Sequence, residues 1–141
     1  MKRFGLLSLG LILFFYLVLS GESVDLKKAE KLYVEQCSKC HRKNGTGVKS
    51  VYPPLKNADY VQKGNSNELL RGMLFGRSGK ILVNGYTYEG VMTTEIDKSL
   101  SDDDISLILN FVYMKLNGLN RLATAKDVRE ARKSGKLPVK K

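Results

Sequence analysis

The chain has 141 residues, of which 43% are hydrophobic and 27% are charged. This composition is ordinary for one globular domain and excludes a wholly disordered chain. The formal net charge is +10, but the basic residues are scattered and do not alternate with a stacking set of aromatic side chains. The charge therefore predicts solvated faces and no binding of nucleic acid.

The N-terminal segment predicts export. Lys2 and Arg3 precede an apolar run from Phe4 to Leu19, and small polar residues follow. This is the layout of a signal peptide, and the run is shorter than the roughly 20 residues of a spanning helix. We expect residues 1–20 to be a signal peptide or an N-terminal anchor, and an uncleaved anchor would associate with the membrane through residues 4–19.

The next part of the chain predicts helices joined by a turn-rich loop. Apolar residues at spacings of three and four predict a first helix from Asp25 to Cys40. Glycine and proline then mark residues 42–56 as a loop. Weaker patterns predict a short helix over residues 58–62 and a second helix that Ser66 or Asn67 caps and that ends at Gly76.

The C-terminal half alternates between an irregular segment and two helices. Glycines interrupt the stretch from Arg77 to Leu100, which predicts a short hairpin or an irregular loop. Ser101 can cap the clearest helix of the chain, and its apolar stripe ends at residues 117–118. Thr124 can cap a last, short helix over residues 125–132.

The sequence Cys37-Ser38-Lys39-Cys40-His41 carries the chemistry. It is a C-x-x-C-H motif, which is typical of c-type haem attachment. Residues three and four apart share a helical face, so Cys37 and Cys40 can bond the two vinyl groups while His41 faces the iron. The motif predicts one covalently bound haem c.

Two other uses of the cysteines need different surroundings. Zinc requires four ligands, whereas the chain has two cysteines and one histidine. A thiol-disulfide oxidoreductase that uses Cys37 and Cys40 would need the alternating strands and helices of a thioredoxin-like fold, which the pattern lacks. That oxidoreductase is kept as an alternative function.

A second axial ligand must come from a methionine or a lysine, because no second histidine exists. Met73 and Met114 lie in helical patterns at positions that resemble a core. Met92 lies in the irregular segment before the clearest helix, where the chain can fold over the second haem face, and is therefore the predicted ligand. A subunit or sensor whose open sixth position binds a small ligand is the alternative.

These features resemble class I cytochrome c over roughly residues 26–118. The resemblance rests on the helix that leads into C-x-x-C-H, the Asn44-Gly45-Thr46-Gly47 loop, the Pro53-Pro54-Leu55 segment and a methionine before the C-terminal helix. It implies an all-α cytochrome c fold, with three to five helices around one haem and with the first and last helices of the domain packed together. It also implies that a proline carbonyl accepts a hydrogen bond from His41; Pro53 is the matching residue and Pro54 the alternative.

Residues 83–92 closely resemble the ligand loop of bacterial members that serve oxidases and periplasmic dehydrogenases, although Thr93 stands where those loops usually have proline. The implied organisation is a cytochrome c domain at residues 21–118 and a C-terminal extension at 119–141 with a short helix and a basic tail. The implied function is transfer of single electrons in the periplasm, without transformation of a substrate, by a free or membrane-anchored carrier or by a subunit of an oxidoreductase complex. Basic residues near the motif predict redox partners with acidic surfaces; they are Lys39, Lys43 and Lys56.

Overall fold

A computed structural model describes residues 23–94 and 96–139. The predicted signal peptide or anchor at residues 1–20 lies outside this part of the chain. No helix in the described ranges is long and apolar enough to cross a membrane.

The described chain forms six α-helices, one π-helical turn and one two-stranded hairpin. The prediction of three to five helices is therefore too low. The first predicted helix is two helices, because the chain leaves helical geometry at Cys37 (φ −122°, ψ −27°). In chain order the elements are α1 (Leu26–Gln36), α2 (Ser38–His41), α3 (Asp59–Lys63), α4 (Ser66–Phe75), β1 (Arg77–Val83), β2 (Tyr86–Met92), α5 (Asp102–Phe111), the π-helical turn (Val112–Leu116) and α6 (Ala125–Ser134).

Helices α1 and α5 form the centre of the core, as expected for the first and last helices of the predicted domain. The rings of Tyr33 and Phe111 lie 4.9 Å apart between centroids, and Ile105 and Ile108 are fully buried beside them. Each side chain of this size that is removed from water stabilises the fold by about 1.5–3 kcal/mol. The Oγ atom of Ser101 accepts a hydrogen bond from the Asp104 amide and caps α5, as the sequence predicts.

The hairpin covers one side of this core. Its two strands are antiparallel and joined at Asn84 and Gly85, which both have positive φ, as a type I′ turn requires. Arg77 lies directly across from Met92 in the register, and Gly79 lies across from Gly90. Met92 therefore ends a strand and does not lie in an irregular loop.

The three remaining helices, α3, α4 and α6, lie within two residues of their predicted positions. Helix α4 is capped by Asn65, whose side chain accepts from the Glu68 amide, and not by either of the two following residues. Helix α6 begins after Thr124, as predicted, and packs against α4 and α5. The buried Asn110 of α5 holds the preceding segment through two hydrogen bonds with the backbone of Ala123, at 3.0 and 2.7 Å.

Candidate haem site

An apolar cleft opens between α2 and the segment after it, α3, α4, the hairpin and α5. It consists of two adjoining cavities: a deep part, lined by buried and half-buried residues apart from Met92, and a mouth, at which more than half of the lining residues are exposed. The deep part contains about 760 Å³ of empty space, which includes space open to solvent. Gly79 and Gly90 face each other where the hairpin borders the mouth, and they leave that part of the wall without side chains. The deep part is lined by Cys37, His41, Pro53, Pro54, Leu55, Tyr60, Val61, Glu68, Leu69, Gly72, Met73, Arg77, Ile81, Val83, Met92, Ile108, Leu109 and Val112.

His41 ends α2 at the wall of this cleft and is 5% exposed. Its Nδ1 atom lies 2.9 Å from the carbonyl oxygen of Pro53. Because a carbonyl only accepts, the contact assigns the hydrogen to Nδ1 and leaves the lone pair on Nε2. Burial lowers the pKa of His41, against the smaller opposite effect of the Pro53 carbonyl. The ring is therefore neutral at neutral pH, which is the form that binds metals.

The segment that carries Pro53 is fixed from the other end of the chain. The side-chain amide of Asn117 donates to the Leu55 carbonyl at 2.7 Å and accepts from the Ala58 amide at 3.0 Å. The Asn57 amide also donates to the Leu116 carbonyl at 3.1 Å. The partner of His41 thus stands on backbone that the end of the π-helical turn holds in place.

The two cysteines border the cleft at different depths. Cys37 lines its deep part, and Cys40 lines the mouth together with His41. Burial, and to a smaller extent the nearby Cys40, raises the pKa of Cys37 to about 12. A thiol in such surroundings is unreactive at neutral pH, whereas thiol-disulfide oxidoreductases depend on a cysteine with a lowered pKa.

The three methionines of the described chain differ in their position relative to the cleft. Met92 lines both the deep part and the mouth of the cleft, as His41 does, and its residue is 40% exposed. Met73, which the sequence placed in a core, is half-buried and lines the deep part from α4. Met114 lies on the π-helical turn and is absent from the described lining. The geometry therefore brings Met92 and Met73 to the same cleft as His41.

A family model for cytochrome c matches residues 26–114, a range that contains the cysteines, His41 and Met92. This chain belongs to the cytochrome c family. It is a class I c-type cytochrome, an electron-transport protein with covalently bound haem c, and Cys37 and Cys40 fit the attachment motif.

Curated relatives agree with this assignment. The cytochrome is 34% identical to cytochrome c-552 of Thermus thermophilus over 100 residues, which cover 69% of this chain and 66% of the relative. It is 30% identical to the cytochrome c subunit of a quinone alcohol dehydrogenase from Gluconacetobacter polyoxogenes over 117 residues, or 82% of this chain and 24% of that subunit. The cytochrome thus spans about two thirds of the first relative and about a quarter of the second.

The corner between α4 and the hairpin holds the backbone at Met92. Gly76 has φ +78°, and a Cβ atom there would stand closer than 3.0 Å to the Met92 carbonyl oxygen. Two residues after Met92, the Thr94 hydroxyl donates to the Met73 carbonyl at 2.8 Å. This part of the cytochrome therefore fixes the end of β2 without the proline that Thr93 replaces.

Sequence reasoning missed a polar cluster inside the cleft. The Nη2 atom of Arg77 lies 3.1 Å from Oε1 of Glu68, and the Tyr60 hydroxyl donates to the same oxygen at 2.5 Å. The guanidinium also lies over the Tyr60 ring, 4.9 Å from its centroid. Burial, followed by the hydrogen bond to Glu68, raises the pKa of Tyr60. No sequence signal marks this pair, because an acidic residue such as Glu68 is ordinary in the first turn of a helix. The pairing forms only when the chain turns at Gly76.

Proposed function

We propose that this cytochrome holds one haem through thioether bonds to Cys37 and Cys40, with His41 and Met92 as the axial ligands. It transfers single electrons between redox partners in an exported compartment, which is the periplasm in a bacterium. The observation that carries the proposal is the convergence of His41 and Met92 on one apolar cleft that both cysteines border.

Haem supplies an iron atom that gains and loses one electron. The residues of the chain supply the remaining requirements. The Pro53 carbonyl orients the His41 ring so that Nε2 is the free ligand atom. A thioether ligand from Met92 favours the reduced state and raises the reduction potential.

The buried face of α5 keeps water away from the site. Ile108 and Leu109 line the deep cleft and are 0% and 2% exposed, and Val112 continues this wall. A dry and closely packed surround keeps the two ligands in place in both oxidation states, so electron transfer needs little rearrangement.

The mouth of the cleft suits a docking partner with an apolar centre and an acidic rim. Val51 and Val91 border it and are 60% and 74% exposed. The exposed Lys39, which also borders the mouth, and the exposed Lys43 lie on and just beyond the attachment motif. Positive charge around an exposed apolar centre raises the rate of encounter with an acidic partner and leaves the contact itself apolar.

The relatives of this cytochrome suggest a class of redox partner. The Gluconacetobacter relative is a subunit of a quinone alcohol dehydrogenase. A membrane-associated dehydrogenase that delivers electrons, or an oxidase that accepts them, therefore suits this cytochrome, either as a separate carrier or as part of the complex.

Absorption spectra test the ligand set. The full chain is produced in a host that exports it and attaches haem, and the oxidised and reduced spectra are compared with those of Met92→Ala and Met73→Ala. We expect a low-spin wild type whose weak ferric iron–thioether band disappears in Met92→Ala and persists in Met73→Ala.

Each other outcome rejects a different part of the proposal. Loss of the band in Met73→Ala but not in Met92→Ala would mean that Met73 of α4 is the axial ligand. A high-spin wild type that binds carbon monoxide readily would mean an open sixth position. Protein without haem and with two titratable thiols would favour the alternative of a thiol-disulfide oxidoreductase that uses Cys37 and Cys40.

A further inference from the structure

Arg77 has a buried nitrogen that the described chain does not satisfy. Its side chain is 12% exposed, and its Nε atom is buried without a hydrogen-bond partner among residues 23–94 and 96–139. The Nη2 atom, by contrast, is paired with Glu68. A buried N–H group of a charged side chain destabilises the protein when it has no acceptor. The Nε atom of Arg121 is also without a partner among these residues, but Arg121 is not in the described lining of the cleft, whereas Arg77 is. A group that enters the cleft can therefore supply the acceptor that Arg77 lacks.

The guanidinium is held in one orientation by groups on two other elements. Glu68 of α4 binds one edge of the guanidinium, and the Tyr60 ring of α3 lies against its plane. The Tyr60 hydroxyl in turn fixes the carboxylate of Glu68. Because the guanidinium is a rigid plane, these contacts also fix the direction in which the Nε–H bond points.

Arg77 lines both the deep part and the mouth of the cleft. Glu68 and Arg77 are the charged side chains of the described deep lining, and Glu68 is an anion that cannot accommodate a second anion by itself. Arg77 is thus the cationic donor of the described deep lining, whose other side chains are mainly apolar. An acceptor that enters the cleft with an apolar body and an anionic end would satisfy it.

We propose that Arg77 binds a propionate carboxylate of the haem through Nε, and that Glu68 and Tyr60 position its guanidinium for this contact. The inference rests on the proposed function, which places haem in this cleft. The propionates are the anionic groups on the haem periphery, and they lie on the edge opposite the two vinyl-derived bonds that Cys37 and Cys40 make. A charge-assisted hydrogen bond from arginine to a carboxylate is among the stronger contacts that a buried site can form.

The test uses the full chain with haem attached and compares Arg77→Gln with Lys80→Gln. Lys80 is the matched control, because it lies on the same strand and is exposed. Its replacement by glutamine removes one positive charge, as the replacement of Arg77 does. Resonance Raman spectra report the propionate bending mode, and reduction potentials are measured as a function of pH. We expect the bending band to shift and the potential to become more pH-dependent in Arg77→Gln, with neither change in Lys80→Gln. Arg77→Lys should show smaller changes in the band and in the potential than Arg77→Gln, because lysine keeps the positive charge but lacks the planar geometry.

An unchanged propionate band in Arg77→Gln would overturn the inference. If the iron–thioether band is lost in the same variant, Arg77 acts only on the strand that ends at Met92. If Arg77→Gln does not fold, a crystal structure of the wild-type haem protein decides, and an Nε atom beyond hydrogen-bond distance of both propionates rejects the contact. Absence of haem or of the thioether band in the wild type would instead reject the proposed function, so the two failures are distinguishable.

Discussion

Replacement of Gly76 by alanine tests how the fold holds the Met92 strand. Gly76 ends α4 with φ +78° and ψ 178°, a region of backbone conformation that is essentially restricted to glycine. A side chain in this conformation costs about 1–3 kcal/mol. In addition, the new Cβ atom would overlap the carbonyl oxygen of Met92, a backbone atom that cannot rotate away.

Gly135 provides a matched control. It ends α6 with φ 67° and ψ −162°, which is the same conformational region, and no described atom lies within 4 Å of a Cβ built there. The free energy of unfolding of Gly135→Ala should therefore fall only by the cost of the strained backbone conformation, about 1–3 kcal/mol. The free energy of unfolding of Gly76→Ala should fall by about 1–3 kcal/mol more than that of Gly135→Ala, because this is the usual cost of forcing extra volume into a packed site.

The free energy of unfolding is measured with urea for both variants and for the wild type, each with haem attached, and the ferric iron–thioether band is recorded in parallel. We expect Gly76→Ala to be the less stable variant and the one whose band weakens, because relief of the overlap displaces the backbone of Met92. Equal stability of the two variants with an intact band in both would refute the reasoning.

Two further predictions concern helix α5. Asn110→Ala leaves the amide and the carbonyl of Ala123 without their partner, so the free energy of unfolding should fall by roughly 2–5 kcal/mol in urea titrations; a loss near zero would mean that water replaces the side chain. The hydrogen bond from Lys28, followed by that from Ser101, lowers the pKa of Asp104 below its ordinary value near 4. The stability that this carboxylate contributes is therefore present above about pH 4 and is lost as the pH falls through the lowered folded-state pKa. Thermal melts of Asp104→Asn should show a flatter acid limb than the wild type, and an unchanged limb would contradict the assignment.

Local signals were sufficient wherever a helix is fixed by its own residues. The Ser101 hydroxyl caps α5 as predicted, because the cap, the acidic first turn and the apolar stripe lie within one stretch of chain. Thr124 forms a capping box with Asp127 for the same reason. The C-x-x-C-H motif is equally local, and the haem that it predicts agrees with the family of the chain.

Features that depend on distant contacts were beyond the sequence. No glycine or proline marks the break at Cys37, which separates α1 from α2. The glycines of residues 77–100 predict either a hairpin or an irregular loop, and the structure has the hairpin. The register that places Met92 opposite Arg77 emerges only in the structure. The pair of Arg77 and Glu68 joins a strand to a helix, and neither residue differs from an ordinary surface charge in the sequence.

The hydrogen bonds of Asn117 have a consequence for the order in which the protein folds. They join residues that are 62 and 59 positions apart in the chain, so a loop of that length must close before they form. The backbone behind Pro53 is therefore without these bonds until the end of α5 has docked. Amide protons of the segment around Leu55 and of the π-helical turn should consequently exchange with solvent as one cooperative unit. We therefore expect the histidine side of the cleft to become ordered only when this long loop closes, although the residues of the attachment motif are neighbours in the sequence.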